Sequence, residues 1–300
     1  MEIRQIEYAV GVLEHGGFTR AAAALHVSQP ALSEGVARLE ADLGVALFDR
    51  VGRGVIPTAA AEAFAAPARR VLQDLMVLRT TVAAVVGVEG GSIDVVALPT
   101  LAADPLPAIV GHFRREHPLV TVTIAQPERA DAAVDQVRAG RAEVGLVELP
   151  VTTPDLDAEE LFVQDYVVVL PPGSPLGTRR RIKAASLDGV PLVTTPTGTS
   201  TRRMVEAAFA QAAVVPAVAV ETDQREAIVP LVLAGAGASI LPEPLARGAE
   251  AAGAHVVRLD PPLRRRVGII TRSGPRSPAA EALLGAARAV TRGAVPVHGR

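Results

Sequence analysis

FTRAAAALHVSQPALSEGVARLEADLGVALFDR, residues 18–50, is the stretch that decides the fold. Apolar residues recur in it at steps of three and four, with one polar break at 26–29, which predicts two helices joined by a tight turn. We expect Thr19 to cap the first helix and Ser28 the second, because a hydroxyl oxygen can accept from unpaired N–H groups of a first turn. Pro30 falls inside the second helix's first turn, where a missing N–H costs nothing. The stretch is predicted to be a helix-turn-helix.

The second of these helices has a face suited to reading DNA. Ala31, Leu32 and Val36 are expected to point inward. The residues expected to point outward are polar, namely Ser28, Gln29, Ser33, Glu34 and Arg38. A helix of this size fits the major groove of B-DNA, where side-chain amides and hydroxyls read base edges.

The charge of this region restricts how DNA could be bound. Residues 1–58 contain five arginines and seven acidic residues, a net charge of −2, whereas a generic phosphate binder is basic. Binding must therefore rely on arginines focused on one face and on helix N-termini, with dimerisation doubling the contacts. Arg50 and Arg53, beside Gly52 and Gly54 of a predicted wing turn, are the expected phosphate clamps. The alternative is that both are ordinary solvated arginines.

The ungapped pattern FTRAAAALHVSQPALSxxVxxLExxLGxxLFDR resembles the winged helix-turn-helix of the LysR-type transcriptional regulators over about thirty residues. The resemblance implies base and phosphate contacts at positions 28, 29, 30 and 33, and a wing from Val51 to Thr58. Glu34 departs from the family, which often has arginine there, and Gly35 replaces what is often a long polar residue. A carboxylate at position 34 would repel phosphate or accept from a cytosine amino group. The candidate DNA-contacting residues are Thr19, Arg20, Ser28, Gln29, Pro30, Ser33, Glu34, Arg38, Arg50 and Arg53.

Residues 59–89 carry an apolar stripe spaced alternately by four and three, which is the seam of a coiled coil. The partner we expect is the same helix of a second subunit, so that a homodimer presents two heads to two DNA half-sites. The candidate dimerisation residues are Phe64, Val71, Leu75, Leu78 and Val82, with Ala68 and Val85 in the same stripe. The alternative is that the stripe packs on its own chain. Gly87, Gly90 and Gly91 are predicted to end the helix and form a hinge.

From residue 92 onward, short β-branched runs alternate with helical patterns, which predicts parallel sheets covered by helices. ALPTLAADPLPAIVGHF, VRAGRAEVGLVE, LPPGSPL and VLAGAGASILPEPLA resemble the LysR effector-binding domain, which is related in fold to periplasmic binding proteins. The resemblance implies two lobes joined by crossover strands, the first lobe being completed by the segment from Val267 to Val290. We therefore expect an α/β multi-domain chain with three parts: a winged helix-turn-helix at 1–58, a linker and dimerisation helix at 59–89, and an effector-binding domain at 90–300. Its first lobe should span about 90–161 and 266–300, and its second lobe about 162–265.

Two helix starts in this domain are candidates for the effector site. Pro99, Thr100 and Leu101 follow the first strand and precede a helix, and PTGTSTRR, residues 196–203, follows another strand and opens a helix. Two opposed positive helix ends lined with hydroxyls would bind a small carboxylate or similar anion. Arg129 and Arg202 are candidate bidentate partners of that anion. The full candidate set is Pro99, Thr100, Leu101, Arg129, Thr197, Gly198, Thr199, Ser200, Arg202 and Thr222, and Thr201 adds a further hydroxyl near the start of the second helix. The alternative for each threonine is ordinary helix capping.

Composition excludes several classes of protein. The 300 residues are 49% hydrophobic, enough for two or three cores. No apolar run approaches the roughly 18 residues that span a bilayer, and the start MEIRQIEYAV is unlike a signal peptide, so no membrane association and a cytoplasmic location are expected. The chain has no cysteine, which excludes disulfides, thiolate metal sites and cysteine nucleophiles. His112 and His117 are five apart, the wrong spacing for a shared metal ion. GAGASI, from Gly235, precedes a strand, whereas the glycine-rich nucleotide fingerprint follows one.

The resulting hypothesis is a DNA-binding regulator and not an enzyme, with no cofactor and no metal. It would bind double-stranded DNA as a homodimer that pairs into a homotetramer, sense a small-molecule effector, and act on RNA polymerase indirectly through DNA bend. Two alternatives stay open. One is an intracellular small-ligand-binding protein with a non-functional DNA head, and the other is an enzyme that uses the threonine-rich cleft.

Overall fold

A computed structural model of the chain describes residues 1–51, 54–85 and 90–292. The chain divides into two compact units, one built mainly from residues 1–85 and the other mainly from residues 90–292. Within the described ranges, no helix combines the length and the apolar character needed to cross a bilayer.

The first unit is a three-helix head with a hairpin and a long helix. Its elements are α1 (Ile3–His15), α2 (Phe18–Ala24), α3 (Gln29–Leu43), the antiparallel strands β1 (Phe48–Val51) and β2 (Gly54–Pro57), and α4 (Ala59–Val85). Helices α1 and α3 end at Gly16 and Gly44, which adopt positive φ angles of 64° and 70° that glycine tolerates without strain. The head's core includes Tyr8, Val12, Ala21, Leu32, Val36, Leu39, Leu47 and Phe48.

Close packing of α1 on α3 explains the glycine at position 35. A Cβ atom placed on Gly35 would lie 2.6 Å from Cδ2 of the Tyr8 ring, so a larger residue would displace the ring from the core. Leu32 and Val36 are buried as predicted, whereas the prediction that Ala31 points inward is wrong. Ala31 is exposed because it precedes Leu32 by one residue, which turns its side chain by about 100° around the helix from the face that Leu32 and Val36 share.

The second unit begins with a lobe built on parallel strands. The chain passes through β3 (Gly91–Ala97), α5 (Pro99–Ala103), α6 (Leu106–Glu116), β4 (Val120–Ala125), α7 (Ala130–Arg138) and β5 (Val144–Leu149). Strand β3 pairs in parallel with β4 on one side and β5 on the other. The C-terminal helix α10 (Pro278–Arg292) buries Leu283, Leu284 and Ala287 in the same core. This lobe therefore contains residues from both ends of the second unit. Of the predicted hinge glycines, Gly87 lies outside the described residues and Gly91 begins β3.

Two long strands connect this lobe to a second one. Strand β6 (Leu156–Leu170) pairs through its first part with β12 (Arg264–Arg272) and through its last part with β10 (Ser239–Pro242) and β11 (His255–Leu259). All of these pairings are antiparallel, so the prediction of parallel sheets was wrong for this part of the unit. The cause is the connectivity, since β6 and β12 carry the chain between the lobes in opposite directions. Strand β6 also begins ten residues before the predicted run at Tyr166, because its first part is exposed on one face and lacks a continuous apolar signal.

The second lobe surrounds the far half of β6. It contains β7 (Arg181–Ile182), β8 (Pro191–Thr194), α8 (Ser200–Gln211), β9 (Ala217–Glu221) and α9 (Arg225–Leu233), with β8 and β9 paired in parallel. Two clusters fill it on either side of β6, one around Tyr166, Val168 and Phe209 and the other around Val167, Val169 and Ile228. Alternate residues of β6 thus face opposite clusters, as expected for a strand buried on both sides.

Candidate functional site

The N-terminus of α3 lies at the surface of the head, as predicted. Ser28 is the N-cap, its Oγ accepts from the Ala31 N–H at 3.4 Å, and Pro30 occupies the first turn. Gln29 and Pro30 are exposed and Ser33 is half-buried at the next turn. The cap and the proline together start the helix where its first side chains are accessible. Their contacts with DNA stay a prediction.

Glu34 and Arg38 pair with each other on the same exposed helix. Nη2 of Arg38 lies 2.5 Å from Oε1 of Glu34, one turn away, and both side chains are about two-thirds exposed. The pair neutralises the positive charge that α3 would otherwise present. An exposed ion pair of this kind adds little to stability, so both side chains are free to exchange partners.

The predicted roles of two other head residues change. Gly17, not Thr19, is the N-cap of α2, so the prediction that Thr19 caps this helix is wrong; its side chain is exposed in the first turn. Arg20 donates through Nε to the His15 carbonyl at 2.6 Å and through Nη2 to the Gly16 carbonyl. Arg20 therefore closes the end of α1 while remaining exposed, and its contact with DNA phosphate stays a prediction. Arg53 and the side chain of Arg50 lie outside the described residues.

The apolar stripe of α4 divides into two parts. Phe64 packs on the head's core, and Ala68 is buried with Ile6 and Val10 of α1. The first part thus packs on its own chain, which was the alternative, and Phe64 is half-buried there; its contact with a second subunit stays a prediction. Further along, Leu75 is half-buried, while Val71, Leu78 and Val82 are 46%, 60% and 60% exposed.

In the second unit, a buried polar cluster lies on one face of the crossover strands. Gln164 lies directly opposite Arg265 in the β6 and β12 register, and Tyr166 follows two residues later, on the same face as Gln164. Nε of Arg265 donates to Oε1 of Gln164 at 2.7 Å, and its Nη2 donates to the Thr100 hydroxyl at 2.8 Å. The guanidinium carbon lies 5.4 Å from the centre of the Tyr166 ring. The cluster joins Thr100 of the first lobe to both crossovers.

The second lobe adds Thr201, at the start of α8, to this cluster. Thr201 and Arg265 are polar neighbours of the Tyr166 hydroxyl, although that hydroxyl has no hydrogen-bond partner of normal geometry among the described residues. Burial raises the pKa of Tyr166, so the hydroxyl keeps its proton at neutral pH. Thr100, a predicted effector residue, and Thr201, a hydroxyl expected near the start of the second helix, therefore come to the same cluster from opposite lobes.

The hydroxyl cluster before α8 mainly builds the helix. Thr199 is the N-cap: its Oγ1 accepts from the Arg202 N–H at 3.3 Å and lies 2.8 Å from the Thr195 hydroxyl. The Ser200 N–H donates to the Glu128 carbonyl at 3.4 Å. On the other lobe, the Leu101 N–H donates to the Leu98 carbonyl at 2.8 Å. These three N–H groups are engaged within the chain, and an effector site between the two helix starts stays a prediction.

The two predicted arginine partners are committed elsewhere. Arg202 donates to Glu206 at 2.7 Å and to Glu221 at 3.2 Å, which holds it inside the second lobe. Arg129 is exposed and paired with Asp131, and it lowers the pKa of that carboxyl to about 2. Neither is placed as the predicted bidentate ligand.

The other predicted effector residues lie in the first lobe's core, at a helix start or in turns before helices. Leu101 is fully buried in the first lobe's core, and Pro99 begins α5 and is half-buried. Gly198 takes a φ of 86° in the turn before α8, next to the exposed Thr197. The Thr222 hydroxyl accepts from the Gln224 N–H at 3.1 Å in the turn before α9.

Four functional candidates were missed from the sequence: Glu148, Gln164, Tyr166 and Arg265. Arg265 was hidden in the run Arg264 to Arg266, which reads as a charged surface. The one available signal was alternation, because the middle residue of an exposed strand triplet points to the opposite face. Burial raises the pKa of Glu148, at the end of β5, while the nearby charges of Arg265 and Arg203 act in the opposite direction.

Two ion pairs and a hydrogen bond connect the two lobes. Nη1 of Arg225, at the start of α9, lies 2.9 Å from Oε1 of Glu128 in the first lobe, and Arg247 lies 3.3 Å from Asp104. Together with the Ser200 to Glu128 hydrogen bond, these contacts join the lobes at residues 104 and 128 of the first lobe.

Comparison with known proteins finds similarity along the whole described chain. The family described as "Bacterial regulatory helix-turn-helix protein, lysR family" matches residues 3–62, and "LysR substrate binding domain" matches residues 87–292. The Escherichia coli regulator IlvY is 30% identical over 281 residues, which cover 93% of this chain and 91% of IlvY.

Solved structures of full length are similar as well. A full-length OxyR from Pseudomonas aeruginosa, carrying a cysteine-to-aspartate substitution, is 27% identical, with a TM-score of 0.79 over 96% of this chain and 95% of that one. CbnR, solved with its target DNA, is 28% identical, with a TM-score of 0.64 over 96% of this chain and 99% of that one. The α/β multi-domain fold with a winged helix-turn-helix is thereby confirmed. The 300 residues of this chain contain no cysteine, so they include no counterpart of the one substituted in that OxyR.

Proposed function

Because this chain belongs to the LysR family of bacterial transcription regulators, we propose that it is a regulator whose binding to DNA is controlled by a small organic anion, which binds between the two lobes. In this proposal the head reads DNA through α3, the exposed part of α4 joins two subunits, and two dimers form a tetramer. Effector binding changes the spacing or angle of the heads, and so the DNA bend and the recruitment of RNA polymerase. Such a switch requires the anion to favour one arrangement of the subunits by its differential affinity.

Residues at the start of α3 support the DNA-reading part. Gln29 offers an amide and Ser33 a hydroxyl, both on the surface of a helix whose N-terminus is itself favourable to phosphate. The net charge of −2 on residues 1–58 means that a single head should bind weakly. Two heads on one DNA double these contacts, which is why the proposal includes a dimer.

Exposed apolar residues on α4 support the dimer. Val71, Leu78 and Val82 follow the coiled-coil spacing and are largely exposed in the single chain. An exposed apolar stripe on a long helix is favourable only when another surface covers it. A second copy of α4 fits the spacing.

The observation that carries the effector proposal is the buried cluster built from both lobes. Thr100 comes from the first lobe, Thr201 from the second, and the Arg265 cation lies between them on a crossover strand. A site assembled from two lobes responds to their separation, so a ligand that binds there favours the closed arrangement. Arg265 selects for negative charge.

Fluorescence anisotropy on DNA selected from a random-sequence pool tests the DNA part. We expect specific binding that weakens as salt rises and that the double change Gln29→Ala and Ser33→Ala abolishes. Gln211→Ala, on an exposed residue of α8, is the control and should bind as the unmodified protein does. If no sequence is selected, the ligand-binding alternative with a non-functional head replaces the regulator.

The effector part is tested with carboxylates and their uncharged counterparts. Acetate, succinate and benzoate are each compared with acetamide, succinamide and benzamide, by their effect on the unfolding temperature and on DNA anisotropy. We expect at least one carboxylate to raise the unfolding temperature and to change DNA binding, while its amide does neither. An equal response to acid and amide, or none to any acid, contradicts a small organic anion as effector.

A further inference from the structure

Arg265 is a buried cation that forms no ion pair among the described residues, although Glu148 lies close enough for the two charges to interact. It is 3% exposed, whereas its neighbours Arg264 and Arg266 point to the opposite face and pair with Asp165 at 2.6 Å and Glu160 at 2.6 Å. No carboxylate in the described part of the chain forms an ion pair with Arg265. Burying an unpaired charge is costly, so its retention at this position calls for a specific reason.

Three polar groups around this cation have no hydrogen-bond partner among the described residues. They are Nη1 of Arg265, Nε2 of Gln164 and the hydroxyl of Tyr166. A guanidinium only donates, so the Gln164 oxygen must face Arg265 and its Nε2 is left as a donor. The Thr100 hydroxyl accepts from Arg265, which leaves its own proton free to donate. The cluster therefore offers donors and one positive charge.

We propose that Arg265, Gln164 and Tyr166 anchor a single carboxylate group of the effector, with Arg265 as its counter-ion. This inference rests on the proposed function, and it names residues that neither the fold nor the comparisons assign. The two oxygens of a carboxylate have about four lone-pair sites between them, so they can accept from all three donor groups and from the Thr100 hydroxyl as well. Charge-assisted hydrogen bonds to a guanidinium are also roughly twice as strong as neutral ones.

The surrounding charge favours a carboxylate over a phosphate dianion. One buried arginine balances one negative charge, and Glu148 approaches the cluster from β5 as a further acidic group. Arg203 is exposed on α8 and influences both Glu148 and Asp131 of the first lobe. It attracts anions from outside but is not part of the buried anchor.

Access to the anchor requires the lobes to separate. Thr100, Gln164, Tyr166 and Arg265 are all buried, and the Glu128 to Arg225 ion pair holds the two lobes together. A carboxylate that binds Arg265 is then enclosed when the lobes close, which links occupancy of the anchor to the closed arrangement.

Isosteric variants of the full chain test the anchor. Tyr166→Phe removes only the unpartnered hydroxyl, and Arg265→Lys keeps the charge but loses the planar donor pair. The control Arg266→Lys makes the same exchange one residue away on the exposed face. We expect the carboxylate that stabilises the unmodified protein to bind about tenfold more weakly to Tyr166→Phe and about 10- to 100-fold more weakly to Arg265→Lys, with Arg266→Lys unchanged. Inorganic phosphate should bind none of them.

Gln164→Glu tests the anchor without a known effector. It places a carboxylate against Nε of Arg265, so it should raise the unfolding temperature and abolish any further stabilisation by added carboxylate. A lower unfolding temperature in Gln164→Glu overturns the anchor, as does normal carboxylate affinity in Tyr166→Phe and Arg265→Lys. If the unmodified protein responds to no carboxylate, the effector proposal itself fails, and the anchor fails with it. If the unmodified protein responds and the variants respond equally, only the anchor fails.

Discussion

Replacing Glu34 by glutamine should strengthen DNA binding and steepen its dependence on salt. In the free protein, Oε1 of Glu34 holds Nη2 of Arg38 at 2.5 Å, and both side chains are exposed on the helix proposed to enter the major groove. Glutamine keeps the size of the side chain but not its charge. Arg38 is then free to pair with a phosphate, and the repulsion between position 34 and the DNA backbone is removed.

The size of the effect follows from counter-ion release. Each additional phosphate neutralised steepens the slope of log K against log salt by about 0.9. Because a rise from about 50 mM to about 200 mM salt is a change of about 0.6 in log salt, one new contact adds roughly a 3.5-fold difference in affinity between these conditions. A dimer uses two copies of Arg38, so its slope should steepen by about 1.8. The unfolding temperature should not change, since exposed pairs contribute little.

The assay is anisotropy of the selected DNA at several salt concentrations, with Glu250→Gln as the control. Glu250 is exposed in the second unit, so this control changes net charge equally without touching α3. Adding Arg38→Ala to Glu34→Gln should remove the gain. An unchanged slope in Glu34→Gln, or weaker binding to the selected sequence, refutes the reasoning; the second result would mean that Glu34 accepts from a base.

Three further outcomes are expected. Burial raises the pKa of the Glu148 carboxyl, so its contribution to stability is present at pH values below the ordinary pKa of a glutamate and is lost as pH rises through the folded-state pKa. Glu148→Gln should remove that loss, which urea unfolding between about pH 4 and about pH 8 would measure. An identical pH profile in the variant would contradict this assignment. Arg225→Gln breaks the ion pair with Glu128, whose carbonyl also accepts the Ser200 N–H. Hydrogen exchange of the Ser200 amide should therefore speed up by about fivefold. Unchanged exchange would show that this pair does not hold the lobes together. Leu78→Arg places a charge on the exposed stripe of α4 and should shift sedimentation towards the monomer, and a persistent dimer would place the interface elsewhere.

The helix-turn-helix of the head could be predicted from the sequence because its signals are local, whereas α1 (Ile3–His15) was not predicted. The cap at Ser28, the proline in the first turn of α3 and the three- and four-residue steps each act within a few residues along one helix. The cap of α2 was predicted wrongly from a local signal of the same kind. A threonine near a helix start is a capping signal, but Gly17 takes the cap position instead.

The sequence by itself determined the family, the helix-turn-helix and the alternation of strands and helices, because spacing along the chain encodes them. Only the tertiary structure decided which polar residues share a buried site. Arg265 meets Gln164 across 101 positions and Thr100 across 165, and these contacts exist because two antiparallel crossover strands pair in one register. A shift of one residue in that register would turn Arg265 to the other face and bring Arg264 or Arg266 inward, so no local pattern could have distinguished the three arginines.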